Sequence, residues 1–474
     1  MLQPRRLRPR DALRAAALAL AFGLAPTAAA AQVLPHAPTV DRLPNGLTVV
    51  TVPYDAPGIV AYFTLVRTGS RDEVEAGHSG FAHLFEHMMF RGTRALPARE
   101  YEHRMQRMGA DNNAYTTEDY TLYTVTIPTA ALPDLVPVEA DRFRNLFYAQ
   151  PDFQTETRAV FGEYNKNAAS PVHQMWETLS ELAFTRHTYG HTTMGYLADI
   201  QAMPRYYAYS QQFFRRFYTP DNCTVIAAGD VDRQRLLALV TEHYGAWQSH
   251  RAAPVIPVEP PQTAARARAL AWEGTSPPRV LIGYRAPGFT LQTPDTAALE
   301  VVHALTFSES SDLYQRLVVR ESKLLGLESW AGDFHRDPGL FVVEAALGEG
   351  ITHDEVTRAV ADELARVGRG EVSPERITEV ISHLRYHLPL SVQTPSDAAQ
   401  TVARFMALTG EPMAFQVYHD RLSNVTPADV ARVARTYLTD ARRSVVTLAP
   451  AASAPAGAVR AGPNSPAPRM RRAQ

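Results

Sequence analysis

Gly80-Phe81-Ala82-His83-Leu84-Phe85-Glu86-His87-Met88-Met89-Phe90 is the stretch around which this chain is organised. It reads as a helix. His83 and His87 are then i and i+4 and leave the same face one turn apart. That spacing lets two imidazoles reach one metal ion at about 2.0–2.1 Å each. Glu86 stands beside them, close enough to polarise a water held there. Phe81, Leu84, Phe85, Met88, Met89 and Phe90 suit a helix sunk in a core. Burying two histidines and a glutamate among them costs several kcal/mol unless something binds them. The order inverts the commoner His-Glu-x-x-His pattern of metal-dependent hydrolases.

The rest of the chain bounds the problem. Its 474 residues suffice for two or three domains, and 45% hydrophobic with 20% charged is globular. Lys+Arg is 47 against Asp+Glu 49, a net charge of −2, which gives no footing for a nucleic-acid or anionic-membrane partner. The only cysteine, Cys223, cannot form an internal disulfide and reads as a small core hydrophobe. Residues 1–31 read as an export signal: Arg5, Arg6, Arg8, Arg10 and Arg14, an apolar Ala15–Ala25, then Ala29-Ala30-Ala31 before Gln32. The apolar run is too short for an ordinary membrane span, with an uncleaved anchor as the alternative. A periplasmic or secreted protein follows, with no span in the mature chain.

Outward from the motif, Asn45-Gly46 is a hairpin turn signal, and Leu47–Val52 and Val60–Val66 read as strands. Asn112–Thr117 and Tyr120–Ile127 alternate as paired strands. Helices are predicted over Leu132–Phe147 and Phe153–Asn167. Four prolines in 251–265 mark a linker. Beyond it a similar order of strands and helices begins again, without a second His-x-x-Glu-His. The pattern predicts an α+β protein: a domain at 38–250 with the metal site, a homologous domain at 266–450 without one, and a disordered tail at 451–474. In each domain an antiparallel-rich sheet would carry helices on one face.

A site with two histidines needs a third protein ligand. The helix over Phe153–Asn167 offers Glu156 and Glu163, two turns apart on one face. Helix statistics alone would read both as solvated. Further stretches are Gly69-Ser70-Arg71-Asp72-Glu73, Met89-Phe90-Arg91-Gly92-Thr93, Asn113-Ala114-Tyr115-Thr116, Tyr189-Gly190-His191 with Gly195, and Tyr218-Thr219-Pro220-Asp221-Asn222 leading to Gly229-Asp230. Together with the motif, over nearly all of 38–450, they resemble the pitrilysin–insulinase family of inverted-motif zinc peptidases. In that family the third ligand is a glutamate about 75 residues past the second histidine, where Glu163 stands, and a glutamate one heptad earlier, here Glu156, supports the site. The resemblance implies two αβ sandwich domains forming half of a clam-shell chamber, and one Zn2+ per chain on His83, His87 and Glu163. It implies Glu86 as general base for peptide hydrolysis. An extended peptide would add as a strand beside Asn113, Ala114 and Tyr115. Asn113 is the residue expected to make that contact, with a turn-end asparagine as the alternative.

The family's complete enzymes also carry, in the later domain, an arginine and a tyrosine one heptad further on. Arg320 fills the first place as a candidate substrate-binding residue. Leu327 stands in the second and cannot donate to an oxyanion; the next aromatic, Trp330, is out of register. A partner is therefore expected: a heterodimer with a related subunit that carries the Arg/Tyr pair, or a homodimer. The alternatives to a zinc endopeptidase are a non-catalytic structural subunit and a peptide-binding subunit of such a heterodimer.

Overall fold

The computed structural model describes residues 32–331 and 334–463. The expected export signal at 1–31 lies outside the described residues. Strands β1 (Thr39–Arg42), β2 (Thr48–Pro53), β3 (Ile59–Val66), β4 (Asp111–Thr116), β5 (Thr121–Pro128) and β6 (Cys223–Gly229) form one sheet in the order β1-β2-β6-β3-β5-β4. Strands β7 (Arg266–Trp272), β8 (Arg279–Arg285), β9 (Leu324–Trp330), β10 (Leu340–Leu347), β11 (Arg443–Pro450) and β12 (Val459–Ala461) form the second, in the order β12-β7-β11-β8-β10-β9. Five strands match in order, β2 to β6 with β7 to β11; the edge strands differ, β1 opening its half and β12 ending the other. Pairing is antiparallel except at β2–β6, β7–β11 and β7–β12. The Asn45-Gly46 turn joins β1 to β2, with Gly46 at φ 95°, where a glycine is least strained.

The helices of the first half are α1 (Phe81–Met88), α2 (Ala98–Arg107), α3 (Leu132–Asn145), α4 (Gln150–Ala168), α5 (Pro171–Ala183), α6 (Leu197–Ala202), α7 (Tyr207–Phe217) and α8 (Arg233–Tyr244). Those of the second are α9 (Asp295–Phe307), α10 (His353–Gly368), α11 (Pro374–Leu390), α12 (Pro395–Thr409), α13 (Ala414–Ser423) and α14 (Pro427–Tyr437), with a π-helical turn at Gln315–Arg320. Helix α9 follows β8 as α1 follows β3, but holds no His-x-x-Glu-His.

Central strands are apolar on both sides because both sheet faces are covered. In β3, Val60, Tyr62 and Val66 face a core under the first half's own helices. Ala61, Phe63 and Leu65 face the other way, into a core shared with the second half. There α12 lies across β3 and β6. In return α5 lies on β7, β8 and β11, with Met175, Leu179 and Leu182 against Leu270, Trp272, Leu281 and Leu448. Each half thus keeps its own helices on one face and lends one to the other half's sheet. Cys223 is buried in β6, where burial pushes its thiol up, away from the thiolate.

One expectation is corrected. Residues 451–474 carry the composition of a disordered tail, but the chain is ordered through residue 463. Strand β12 runs parallel to β7, Ala461 is fully buried, and the Gln174 side chain donates to the Gly462 carbonyl at 2.8 Å. Composition counts apolar side chains, whereas this strand is held by main-chain hydrogen bonds to an otherwise open sheet edge. Ending the chain at residue 451 is expected to lower the thermal midpoint by at least about 2 °C and to shift Trp272 emission to the red. Scanning fluorimetry on the truncated protein checks both.

A polar network also ties the halves. Asp337 Oδ2 accepts from Arg71 Nε at 2.6 Å and pairs with His187 Nε2 at 3.0 Å. Asp119 accepts from the Tyr189 hydroxyl at 2.7 Å and from the Arg336 N–H at 3.1 Å. Burial by itself would raise the Asp337 carboxyl, but the bonds from His187 and Arg71 outweigh it and hold the group well below the usual carboxylate range. A depressed folded-state pKa stabilises above the unfolded value, about 3.9, and that stabilisation fades as pH falls towards the folded value. The thermal midpoint of Asp337→Asn is therefore expected to lie below wild type at neutral pH, with the gap closing below about pH 4. Parallel melts from pH 7 to 3 read this directly.

Candidate metal centre

Helix α1 leaves Gly80, which sits at φ 90°, and drives its apolar face into the core under β3 and β5. The Tyr123 hydroxyl donates to the Phe85 carbonyl at 3.1 Å and anchors its far end. His83 and His87 share the opposite face, ring centroids 4.9 Å apart. Helix α4 crosses that face. Its buried stripe is Phe153, Glu156, Thr157, Val160 and Tyr164, which turns Glu156 and Glu163 towards α1. Glu163 Oε2 lies 3.6 Å from His83 Nε2 and 3.5 Å from His87 Nε2. Tetrahedral bonds of about 2.0–2.2 Å separate their donors by about 3.4 Å, so the three atoms fit one zinc-sized ion. Burial, with His87 nearby, lowers the His83 pKa to about 4, so its imidazole is neutral and ready to ligate. The described residues hold no other group of three or more such side chains.

Glu156 Oε2 lies 3.5 Å from His87 Nδ1, and its other oxygen is gripped by the Arg91 guanidinium. Arg91, Glu156 and His87 thus stand in a row, with Glu156 on the Nδ1 side of the ring and Glu163 on the Nε2 side. Glu86 is not one of the three converging donors. Its Oε2 accepts from Thr116 Oγ1 at 2.8 Å, and burial raises its carboxyl above the ordinary value. Glu86, His87, Phe90, Arg91, Asn113, Ala114 and Glu156 line an open groove of about 330 Å³. One wall is β4, which pairs only with β5 and leaves its other edge free of any described strand.

The expected site residues divide on this geometry. His83, His87 and Glu163 converge, with Glu86 and Glu156 beside them. Asn113 and Ala114 line the groove. Tyr115 points away from the face of Ala114 and packs against the core shared with the second half, its hydroxyl 3.4 Å from that of Tyr120. Arg320 ends the π-helical turn, exposed, and does not line the groove. Leu327 is buried in β9. Arg91 and Thr116 were legible in the sequence only as neighbours of the motif, because nothing local aims either at its partner.

Residues 50–196 match the family described as Insulinase (Peptidase family M16), and residues 208–384 match the Peptidase M16 inactive domain. An uncharacterized zinc protease of Mycobacterium bovis is 30% identical over 87% of this chain and 93% of that protein. The chain belongs to the M16, or insulinase, family. The zinc protease PqqE of Helicobacter pylori is 25% identical over 86% of this chain and 92% of that protein. A crystal structure of a protease from Helicobacter pylori superposes with a TM-score of 0.82 at 26% identity, covering 87% of this chain and 99% of that one. The periplasmic protease PqqL of Escherichia coli shares the fold at a TM-score of 0.71 and 19% identity, this chain spanning 47% of it. The two sheets with their helices are accordingly two M16-type α+β domains, the second matching the inactive type. With the His/His/Glu cluster in the M16 peptidase domain, this is a zinc metallopeptidase.

Proposed function

We propose that this M16 member is an endopeptidase for extended or unfolded peptides, holding one zinc ion per chain and completed by a partner subunit. The observation that carries the reading is the meeting of His83 Nε2, His87 Nε2 and Glu163 Oε2 beside the Glu86 carboxylate, which Thr116 holds. A metal held there supplies the positive charge that acidifies a water and polarises the scissile carbonyl. The Glu86 carboxylate, oriented by Thr116, accepts the proton of the attacking water and passes it to the leaving amine. Glu156, braced by Arg91, keeps the His87 ring from rotating. The free edge of β4 takes the peptide main chain, a contact nearly blind to sequence.

The partner is argued from the oxyanion. Leu327 has no hydroxyl and Arg320 does not line the groove, so among the described residues the groove is lined by no Arg/Tyr pair. The mitochondrial-processing peptidase subunit beta of Blastocladiella emersonii is 25% identical over 87% of this chain, and its name makes that protein one subunit of an assembly. A related subunit bearing the pair is favoured, with a homodimer as the other arrangement. The basic, then apolar, then small-residue order of the first 31 residues supports action outside the cytoplasm. No described helix is long and apolar enough to cross a membrane.

Zinc analysis of the purified chain, with mass spectrometry of an internally quenched peptide before and after incubation, tests this. Zinc near one per chain with internal cleavage is expected once the partner is present. Cleavage by a chain that sediments as a monomer would remove the partner from the proposal. A chain without zinc would remove the site.

A further inference from the structure

Helix α1 holds two of the three donors but begins without a cap of its own. It is eight residues long, and its first position outside the helix is Gly80, which has no side chain to accept the leading N–H groups. Nor is there room for one. A Cβ on Gly80 would lie 2.8 Å from the Met194 carbonyl oxygen, and one on Gly195 would lie 2.6 Å from the Gly80 nitrogen. The missing cap comes from elsewhere in the chain. Glu73 Oε2 accepts from the Gly80 N–H at 2.7 Å, and Glu73 Oε1 accepts from the Ala82 N–H at 2.6 Å. Both bonds are at the short, charge-assisted end of the range.

We propose that Glu73 is a positioning residue for the metal centre: its carboxylate clamps the first turn of α1 and so sets where His83 stands. The inference rests on His83, His87 and Glu163 being the metal ligands. Ala82 immediately precedes His83, and α1 is too short to absorb a shift at its start before the first imidazole. The Glu73 side chain is fully buried; burial, with added like charge from Asp72 and Asp199, raises its carboxyl, and the bonds from the Ala82 and Gly80 N–H groups oppose that rise. Its two oxygens satisfy two N–H groups at once. Asp199 serves the preceding residue, accepting from the Ser79 N–H at 3.2 Å and hydroxyl at 2.6 Å, and touches no α1 N–H. It is the matched control, a carboxylate at the same corner outside the clamp.

In Glu73→Gln one oxygen becomes an NH2 facing an N–H donor. The expected result is zinc affinity weaker by about 10-fold or more in competition with a chromophoric chelator. In metal-free protein, amide exchange over 81–84 should quicken by a similar factor, with exchange in α4 unchanged. Asp199→Asn should stay near wild type in both. Glu73→Asp keeps the charge but is one methylene short and should fall between, which serves if Glu73→Gln does not fold. A folded Glu73→Gln with wild-type zinc affinity and exchange would overturn the proposal, as would an equal loss in Asp199→Asn. Failure of the wild type to bind zinc would instead sink the ligand assignment, and the exchange arm would still read the clamp.

Discussion

Glu86→Gln is expected to lower peptide hydrolysis by about 10²–10⁴-fold while zinc content stays at the wild-type level. The argument is geometric. The three donors that meet are His83, His87 and Glu163, and the Glu86 carboxylate is instead engaged by Thr116 at 2.8 Å in the groove. Glutamine has the same shape and its amide oxygen can still accept from Thr116, so the fold and the ligands are undisturbed. What it cannot do is take a proton from water. Zinc by atomic emission and initial rates on a quenched peptide, measured on one preparation, separate the two effects. Loss of zinc in Glu86→Gln would make Glu86 a ligand. Retention of both zinc and rate would place the base elsewhere.

Glu163→Ala is expected to lose zinc on dialysis and to bring hydrolysis down to the level of chelator-treated wild type. Two imidazoles on one helix leave the ion without its third protein donor, and the loss should exceed the 10–100-fold typical of residues behind a ligand. The Glu163 side chain is 39% exposed, so removing it opens no cavity in the core. The melting curve of the metal-free variant should therefore overlay that of metal-free wild type. Re-adding zinc restores the chelated wild type and not the variant. A variant that keeps zinc after dialysis would show that Glu163 is not the third ligand.

The pairing of His83 with His87 was legible because it lies within one turn. The same backbone geometry that makes the helix puts both imidazoles on one face, and no distant part of the chain is needed. The strands were legible from alternation and turn signals, and the repeat from the recurrence of that order. Glu163 was legible only through a spacing shared with related chains, because a carboxylate on a separate helix carries no local mark of what it faces. Tyr115 shows the limit in the other direction. Its place beside Asn113 and Ala114 suggested a shared role, but the alternation of a strand puts it on the side opposite Ala114, against the core shared with the second half.

By itself the sequence determined the motif helix with its two histidines and the duplicated α+β order, both consequences of short-range periodicity and residue type. Only the tertiary structure decided that Arg91 braces Glu156, that Thr116 holds Glu86, that Glu73 caps a helix whose own first position is glycine, that α5 and α12 are exchanged between halves, and that residues 459–461 close a sheet. Each depends on which faces and edges the chain path brings together. A side chain or an N–H group does not announce locally the partner that it will meet from far along the chain.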